Sequence, residues 1–383
     1  MIAPVIVPVT NMTTVPATNT TTSTTLYAIP NADQQLQFLQ RIQQLLTDAS
    51  FTSTYKFALL LAITELSVEI GQDNGQPLAI PIRLLAEKTI ELYWQQTLPY
   101  WTAQPDHNGI FWQNTSKQAA IINSVLSLRQ ARCHSLAQAR THPDWASIVR
   151  QVGDTLKKMP IQYLQNINGQ PLPFLYQPQL QKSPNNQGHH LILHSGVMYC
   201  LRQFQSIIQQ LVRQKWITFI QKVAANQPIL GDQHDLESFL FGTPRATLAQ
   251  VEKILKPMQN HRCFFCHGTL QERGSAVDHF IPWSRYPRDT ALNFVVAHSK
   301  CNNDKSDLLA AEPHLTSWLD RNSREGIEIH SHLNQLGFNG TADTSKHIAH
   351  WAYQQALQHN ALLWVGIKDK PVPIQSTVMG FFK

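Results

Sequence analysis

Two pairs of metal-type ligands dominate what this chain can fold into. Cys263 and Cys266 form a C-x2-C pair, and His298 and Cys301 form an H-x2-C pair downstream. Thiolates and imidazole at that spacing are the donors a tetrahedral zinc ion prefers, each pair being presented by one tight turn. Ligand binding in so short a segment is folding free energy, so without Zn2+ the stretch would not hold its shape. The other two of the five cysteines, Cys133 and Cys200, lie in helical-looking stretches and read as small buried hydrophobes. An odd cysteine count in 383 residues argues against a disulfide framework and for a reducing, cytoplasmic setting. Cys263-Phe-Phe-Cys266-His267 also matches the haem-attachment pattern C-x-x-C-H. That reading needs an export signal, which the Pro4- and Pro8-broken N-terminus does not resemble, and it leaves His298 and Cys301 unexplained.

A second set of residues sits between the pairs. Asp278 and His279 are flanked by the strand formers Val277, Phe280 and Ile281, and Pro282 ends the run. Asn293 opens a second short strand through Val296, and Cys301-Asn302 begins a helix. On a regular strand Asp278 and His279 point to opposite faces unless a twist or bulge re-aims one. A β-hairpin folded against a helix would bring Asp278, His279 and Asn302 together. Neutral histidine accepts a proton near pH 7. An Asp carboxylate and an Asn carbonyl are hard ligands suited to Mg2+ or Mn2+, and such an ion stabilises charge on a departing phosphate-ester oxygen. Arg285, Arg288, Lys300 and Lys305 are candidate phosphate contacts. Taken singly, Asn293 and Asn302 would be turn or cap residues and His298 a core or surface histidine. The joint arrangement carries the signal.

At these residues, across roughly Gln259 to Leu308, the segment resembles the HNH endonuclease family in its zinc-bearing, treble-clef version. The resemblance implies a ββα-metal fold with His279 as general base. It implies a catalytic divalent ion on Asp278 and Asn302, and Asn293 pinning the loop between the strands so as to orient the histidine. Asn302 stands where the family often has His, and His298 where it usually has Cys. Similar modules in bacterial proteins serve restriction and phage defence, so the resemblance also implies that setting and duplex DNA as partner. A zinc module that binds nucleic acid or protein without catalysis, and the same chemistry directed at RNA, remain the alternatives.

The rest of the chain reads as helical, giving a mainly α protein with one ββα module. A charge of +6 permits nucleic-acid binding without requiring it. Residues 1–30 form a Thr/Pro-rich arm, read as disordered; 31–242 a helical domain for substrate selection or a protein partner; 243–325 the nuclease module; and 326–383 a C-terminal helix and tail packed on the rest. Leu36, Leu39, Ile42, Leu45 and Leu46 predict an amphipathic helix from Ala32. Tyr55 to Ile70 is apolar nearly all round and reads as a buried central helix stopped by Gly71. Ile82–Gln96, Ser116–Arg140 and Tyr199–Ala224 predict further helices, with short strands at Pro173–Tyr176 and His190–His194. Thr243-Pro244 reads as the start of a helix ending before Pro257. The rings of Tyr93, Trp94, Tyr100, Trp101, Phe111 and Trp112 could stack on bases but fit a core better. No segment is long and apolar enough to span a membrane.

Overall fold

A computed structural model of the chain describes residues 27–100, 109–182, 188–230, 235–242 and 245–382. The N-terminal arm, Trp101 and the Thr243-Pro244 start signal lie outside the described residues. Two hydrophobic cores divide the rest. One draws on residues from Phe38 to Phe241, the other on residues from Val251 to Val378, and Val68 alone crosses from the first half into the second core.

The first core is organised by sequence-readable helices. Helix α1 (Ala32–Asp48) starts on a capping box between Asn31 and Gln34 and buries Phe38, Ile42, Leu45 and Leu46. Leu36, expected on that stripe, is exposed, and Phe38 takes its place. Helix α2 (Tyr55–Ile70) is buried from Tyr55 through Glu69 apart from the half-buried Lys56, as an all-apolar helix must be. Its Thr64 and Ser67 hydroxyls are satisfied internally, Thr64 Oγ1 on the Leu60 carbonyl and Ser67 Oγ on that of Ile63, both at 2.8 Å. Arg202 closes its C-terminal end by donating to the carbonyls of Ser67, Val68 and Gly71 at 3.0, 3.0 and 3.1 Å. Helix α3 (Ile82–Trp94) packs beside it, preceded by strand β1 (Leu78–Pro81). That strand pairs antiparallel with β2 (His189–Leu193), Leu78 opposite Leu193.

Two predicted helices break. The stretch read as Ser116–Arg140 is two helices, Ala120–Gln130 and Leu136–Thr141. Arg132 takes a left-handed φ of 62° there; its N–H reaches the Arg129 carbonyl at 2.9 Å and the Cys133 N–H that of Leu128 at 3.0 Å. This is a Schellman closure built on arginine in place of glycine. The stretch Tyr199–Ala224 is also two helices, Val197–Gln203 and α4 (Gln205–Lys222). Trp351 Nε1 donates to the Arg202 carbonyl at 3.0 Å beside that break. Pro173–Tyr176 forms no strand, only a bridge from Tyr176 to Leu193. Tyr93, Phe111 and Trp216 are fully buried, with Tyr93 and Trp216 edge-to-face at 5.2 Å, so these rings serve the core.

The second core holds the motif. Helix α5 (Arg245–Met258) contains Pro257, which the sequence placed just beyond it. The hairpin strands β3 (Ser275–His279) and β4 (Phe294–His298) pair antiparallel, with Asp278 opposite Val295 and His279 opposite Phe294. Helix α6 (Ser299–Lys305) completes a ββα unit. Helices α7 (Glu312–Gln335) and α8 (Ala342–Gln358) wrap it, Trp318 stacking on Phe280 at 4.8 Å. None of the described helices is long and apolar enough to cross a membrane.

The two halves meet through buried charge. From α2 come Glu65 and Glu69, and from α3 Lys88 and Glu91; the loop after β3 sends Tyr286 and Arg288 to meet them. Arg288 Nε stands 3.0 Å from Glu65 Oε2, and Tyr286 OH donates to Glu69 Oε1 at 2.6 Å. Burial pushes the Glu65 carboxyl up in spite of Arg288 and Lys88. Burial would raise Glu91 too, but Lys88, Arg140 and Arg288 hold it down at about 2.

Candidate metal centre

The knuckle is built by local turns. The Cys263 N–H donates to the Gly268 carbonyl at 2.8 Å, and the His267 N–H to the Cys263 carbonyl at 2.9 Å. His267 takes a left-handed φ of 57° to make this possible. A Cβ on Gly268 would lie 3.3 Å from His298 Cε1 and 3.5 Å from Cys266 Sγ, so a side chain there would crowd the ligands. The last residue of β4 is His298, and the first turn of α6 supplies Cys301.

The ligand atoms of Cys263, Cys266, His298 and Cys301 all lie within 4.8 Å of one another. Zinc bonds of about 2.0–2.3 Å at tetrahedral angles would separate such donors by roughly 3.6–3.8 Å. His298 Nδ1 sits 3.2 Å from Cys266 Sγ and 3.9 Å from Cys301 Sγ. Its Nε2–H donates to the Thr269 carbonyl at 3.1 Å, which leaves Nδ1 unprotonated and aimed at the thiols. Burial and the charge of Cys263 and Cys266 push the Cys301 thiol up. At Cys266 burial is outweighed by the Gly268 N–H, the neighbouring thiols and His298, which lower it. A divalent cation at the centre resolves that competition, and the donor set fits zinc.

On the hairpin, Asp278 is 8% exposed, and Lys305, fully buried on α6, stands 3.0 Å from its Oδ2. Burial pushes the Asp278 carboxyl up, while Lys305 and His279 work against that. No aligned hydrogen bond reaches Oδ2, whose counter-charge is the Lys305 ammonium. Asn302 and Lys305 are three residues apart on α6, a spacing that shares one helix face. Among the described residues the Asn302 side chain makes no hydrogen bond.

His279 has a different partner from Asp278. Its Nε2 lies 2.5 Å from Asp289 Oδ1, and its ring packs on Trp283 and Phe294 at 5.4 and 5.1 Å. The buried Asn293 locks the turn after β3: its Oδ1 accepts from the Ile281 N–H at 2.7 Å and its Nδ2 donates to the Ile281 carbonyl at 2.9 Å.

Two of the four candidate phosphate contacts must be corrected. Lys305 has no exposed surface and is spent on Asp278 and the His279 carbonyl, 3.1 Å away. Arg288 is committed to Glu65 and Glu91 of the helical core. Lys300 is exposed on α6, and Arg285 is half-buried with an Nε that has no partner. Sequence reasoning missed Asp289, for which no spacing signal exists. It also passed over Glu65 and Glu69, although two carboxylates inside an apolar helix demand partners.

Residues 267–311 match a family model described as HNH endonuclease. That match takes in Asp278, His279, Asn293, His298, Cys301 and Asn302 but not Cys263 or Cys266. Residues 35–240 match a family model described as a domain of unknown function (DUF8808). No curated protein and no solved structure matches the chain.

Proposed function

We propose that this chain, which belongs to the DUF8808 family through residues 35–240 and carries an HNH endonuclease module at 267–311, cleaves duplex DNA by metal-dependent hydrolysis. The observation that carries the reading is the ββα unit with a buried carboxylate on Asp278, ion-paired with Lys305, and an imidazole on the next residue. A magnesium or manganese ion held by Asp278 and Asn302 would supply Lewis acidity at the scissile phosphate. In this reading His279 takes the proton of the attacking water through Nδ1, since Nε2 is engaged by Asp289. Lys305 holds the Asp278 carboxylate in place. Asn293 fixes the turn that carries the histidine. Lys300 and Arg285 contact the DNA backbone. Cys263, Cys266, His298 and Cys301 keep the unit folded around zinc.

The helical domain, 31–242, selects the substrate or receives a protein partner. The module, 243–325, shares one core with the C-terminal 326–383 segment. Restriction or phage defence is the biological setting that the family resemblance implies.

Nicking of a supercoiled plasmid in Mg2+ or Mn2+ tests the proposal, with single-stranded RNA offered in parallel. His279→Ala should lower the rate by about 10²–10⁴-fold while zinc content stays at one per chain. Unchanged nicking in the variant would remove His279 as the base. RNA cleavage without plasmid nicking would reassign the substrate, and cleavage of neither would favour a zinc-dependent binding module.

A further inference from the structure

The Asp289 side chain is 9% exposed, and among the described residues its carboxylate has one hydrogen-bond partner, Nε2 of His279 at 2.5 Å. A buried carboxylate held by a single partner is costly unless that partner shares its charge or proton. A carboxylate only accepts, so Nε2 carries the hydrogen and Nδ1 keeps the lone pair. Trp283 and Phe294 pack against the ring, their centroids 5.4 and 5.1 Å from its own.

The loop that carries Asp289 is itself gripped from the other half of the molecule. Arg288 pairs with Glu65 of α2, Tyr286 donates to Glu69, and Arg213 of α4 donates to the Pro287 carbonyl at 3.0 Å. The position of the Asp289 backbone is thus set by the helical domain as much as by the hairpin.

We infer that Asp289 is a positioning residue, fixing the tautomer and aim of His279 from a loop anchored on the helical domain. The inference rests on the reading of His279 as general base. Asp289 touches neither substrate nor the reacting atoms; it acts through the imidazole by holding the hydrogen on Nε2, so that Nδ1 remains the acceptor.

The zinc-loaded full chain serves for the test, in two arms. In the first, plasmid nicking is measured for wild type, Asp289→Ala, Asp289→Asn, His279→Ala and the Asp289→Ala/His279→Ala double variant. Asp289→Ala should lower kcat by about 10–100-fold with KM nearly unchanged. Asp289→Asn, which keeps shape and an acceptor oxygen, should recover part of that loss. In the His279→Ala background, removal of Asp289 should cost nothing more. A loss that multiplies in that background, or wild-type kcat in Asp289→Ala, overturns the inference. Unchanged nicking in His279→Ala fails the base assignment instead, so the two failures are distinguishable.

In the second arm, 15N imidazole spectra of the folded protein are read whether or not a plasmid is cut. The neutral His279 ring should carry its proton on Nε2 in wild type and exchange between tautomers in Asp289→Ala, with zinc content unchanged. Should Asp289→Ala lose zinc, the Asp289→Asn spectrum and rate decide. The same tautomer with and without the Asp289 carboxylate overturns the inference.

Discussion

The helical core and the nuclease module are held together by different physics. Between Phe38 and Phe241, stability comes from apolar side chains buried in number around α2, each contributing on the order of 1.5–3 kcal/mol. The module owns a strand pair of five residues each and a six-residue knuckle turn, and its small hairpin is clamped by four ligands converging within 4.8 Å. One half folds on hydrophobic area; the other adds a four-ligand clamp to a hydrophobic core of its own. The seam between them is largely charged, a network of Glu65, Glu69, Glu91, Lys88, Arg288 and Tyr286 to which Val68 adds an apolar contact. The loop that carries Asp289 is thereby tied to the helical half.

The largest effect that could break this contrast is zinc removal. Structural zinc in such sites contributes on the order of 10 kcal/mol, so chelation or Cys263→Ser should melt the module and spare the helical core. Hydrogen exchange reads both at once. Protection should vanish across the hairpin and α6 and persist in α2; loss of both together would make the two cores one cooperative unit.

Cutting the seam is a smaller perturbation. Arg288→Ala leaves Glu65 buried with Lys88, 4.0 Å away, as its remaining ion-pair partner, and breaking a buried pair costs about 3–5 kcal/mol when the charge cannot be relieved. Burial already pushes the Glu65 carboxyl up, so it should take a proton and keep the loss near about 3 kcal/mol. Denaturant unfolding should register the loss, and zinc stoichiometry should not change. A stability equal to wild type would mean that the seam contributes nothing.

Acid sharpens the same comparison. The Glu91 carboxyl sits at about 2 in the folded protein against an ordinary value of 4.5. Its contribution, on the order of 3 kcal/mol or less, is complete above about pH 4.5 and is lost as pH falls towards 2. Zinc leaves the module in that range, so amide protection in α3 is the proper readout. Wild type should exceed Glu91→Gln above pH 4.5 and converge with it near pH 2. A gap independent of pH would contradict the ion-pair assignment.

Much of this was legible in the sequence where a residue type admits one solution. An apolar run ended by Gly71 could only be a buried helix, and α2 has the bounds read for it, Tyr55–Ile70. Paired Cys and His at knuckle spacing could hardly do other than converge. Legibility failed where a residue acts against type. Arg132 adopts the conformation that usually marks glycine, so the helix break after Gln130 carried no signal. Lys305 looked like a surface cation yet is wholly buried, because Asp278 needs a counter-charge there. Arg288 looked like a phosphate contact until α2 supplied Glu65 from more than two hundred residues away. Asp289 became meaningful only once the loop placed it on His279, since proximity in space leaves no mark in spacing.

The proposed function needs the hairpin and α6 together to hold a second metal ion, apart from zinc at the knuckle. Manganese anomalous scattering from crystals soaked in Mn2+ tests it directly. The account predicts a manganese peak against Asp278 Oδ2 and the Asn302 side-chain oxygen, distinct from zinc at the four knuckle ligands and absent in Asp278→Asn. Zinc in its place with no manganese at Asp278 would contradict it.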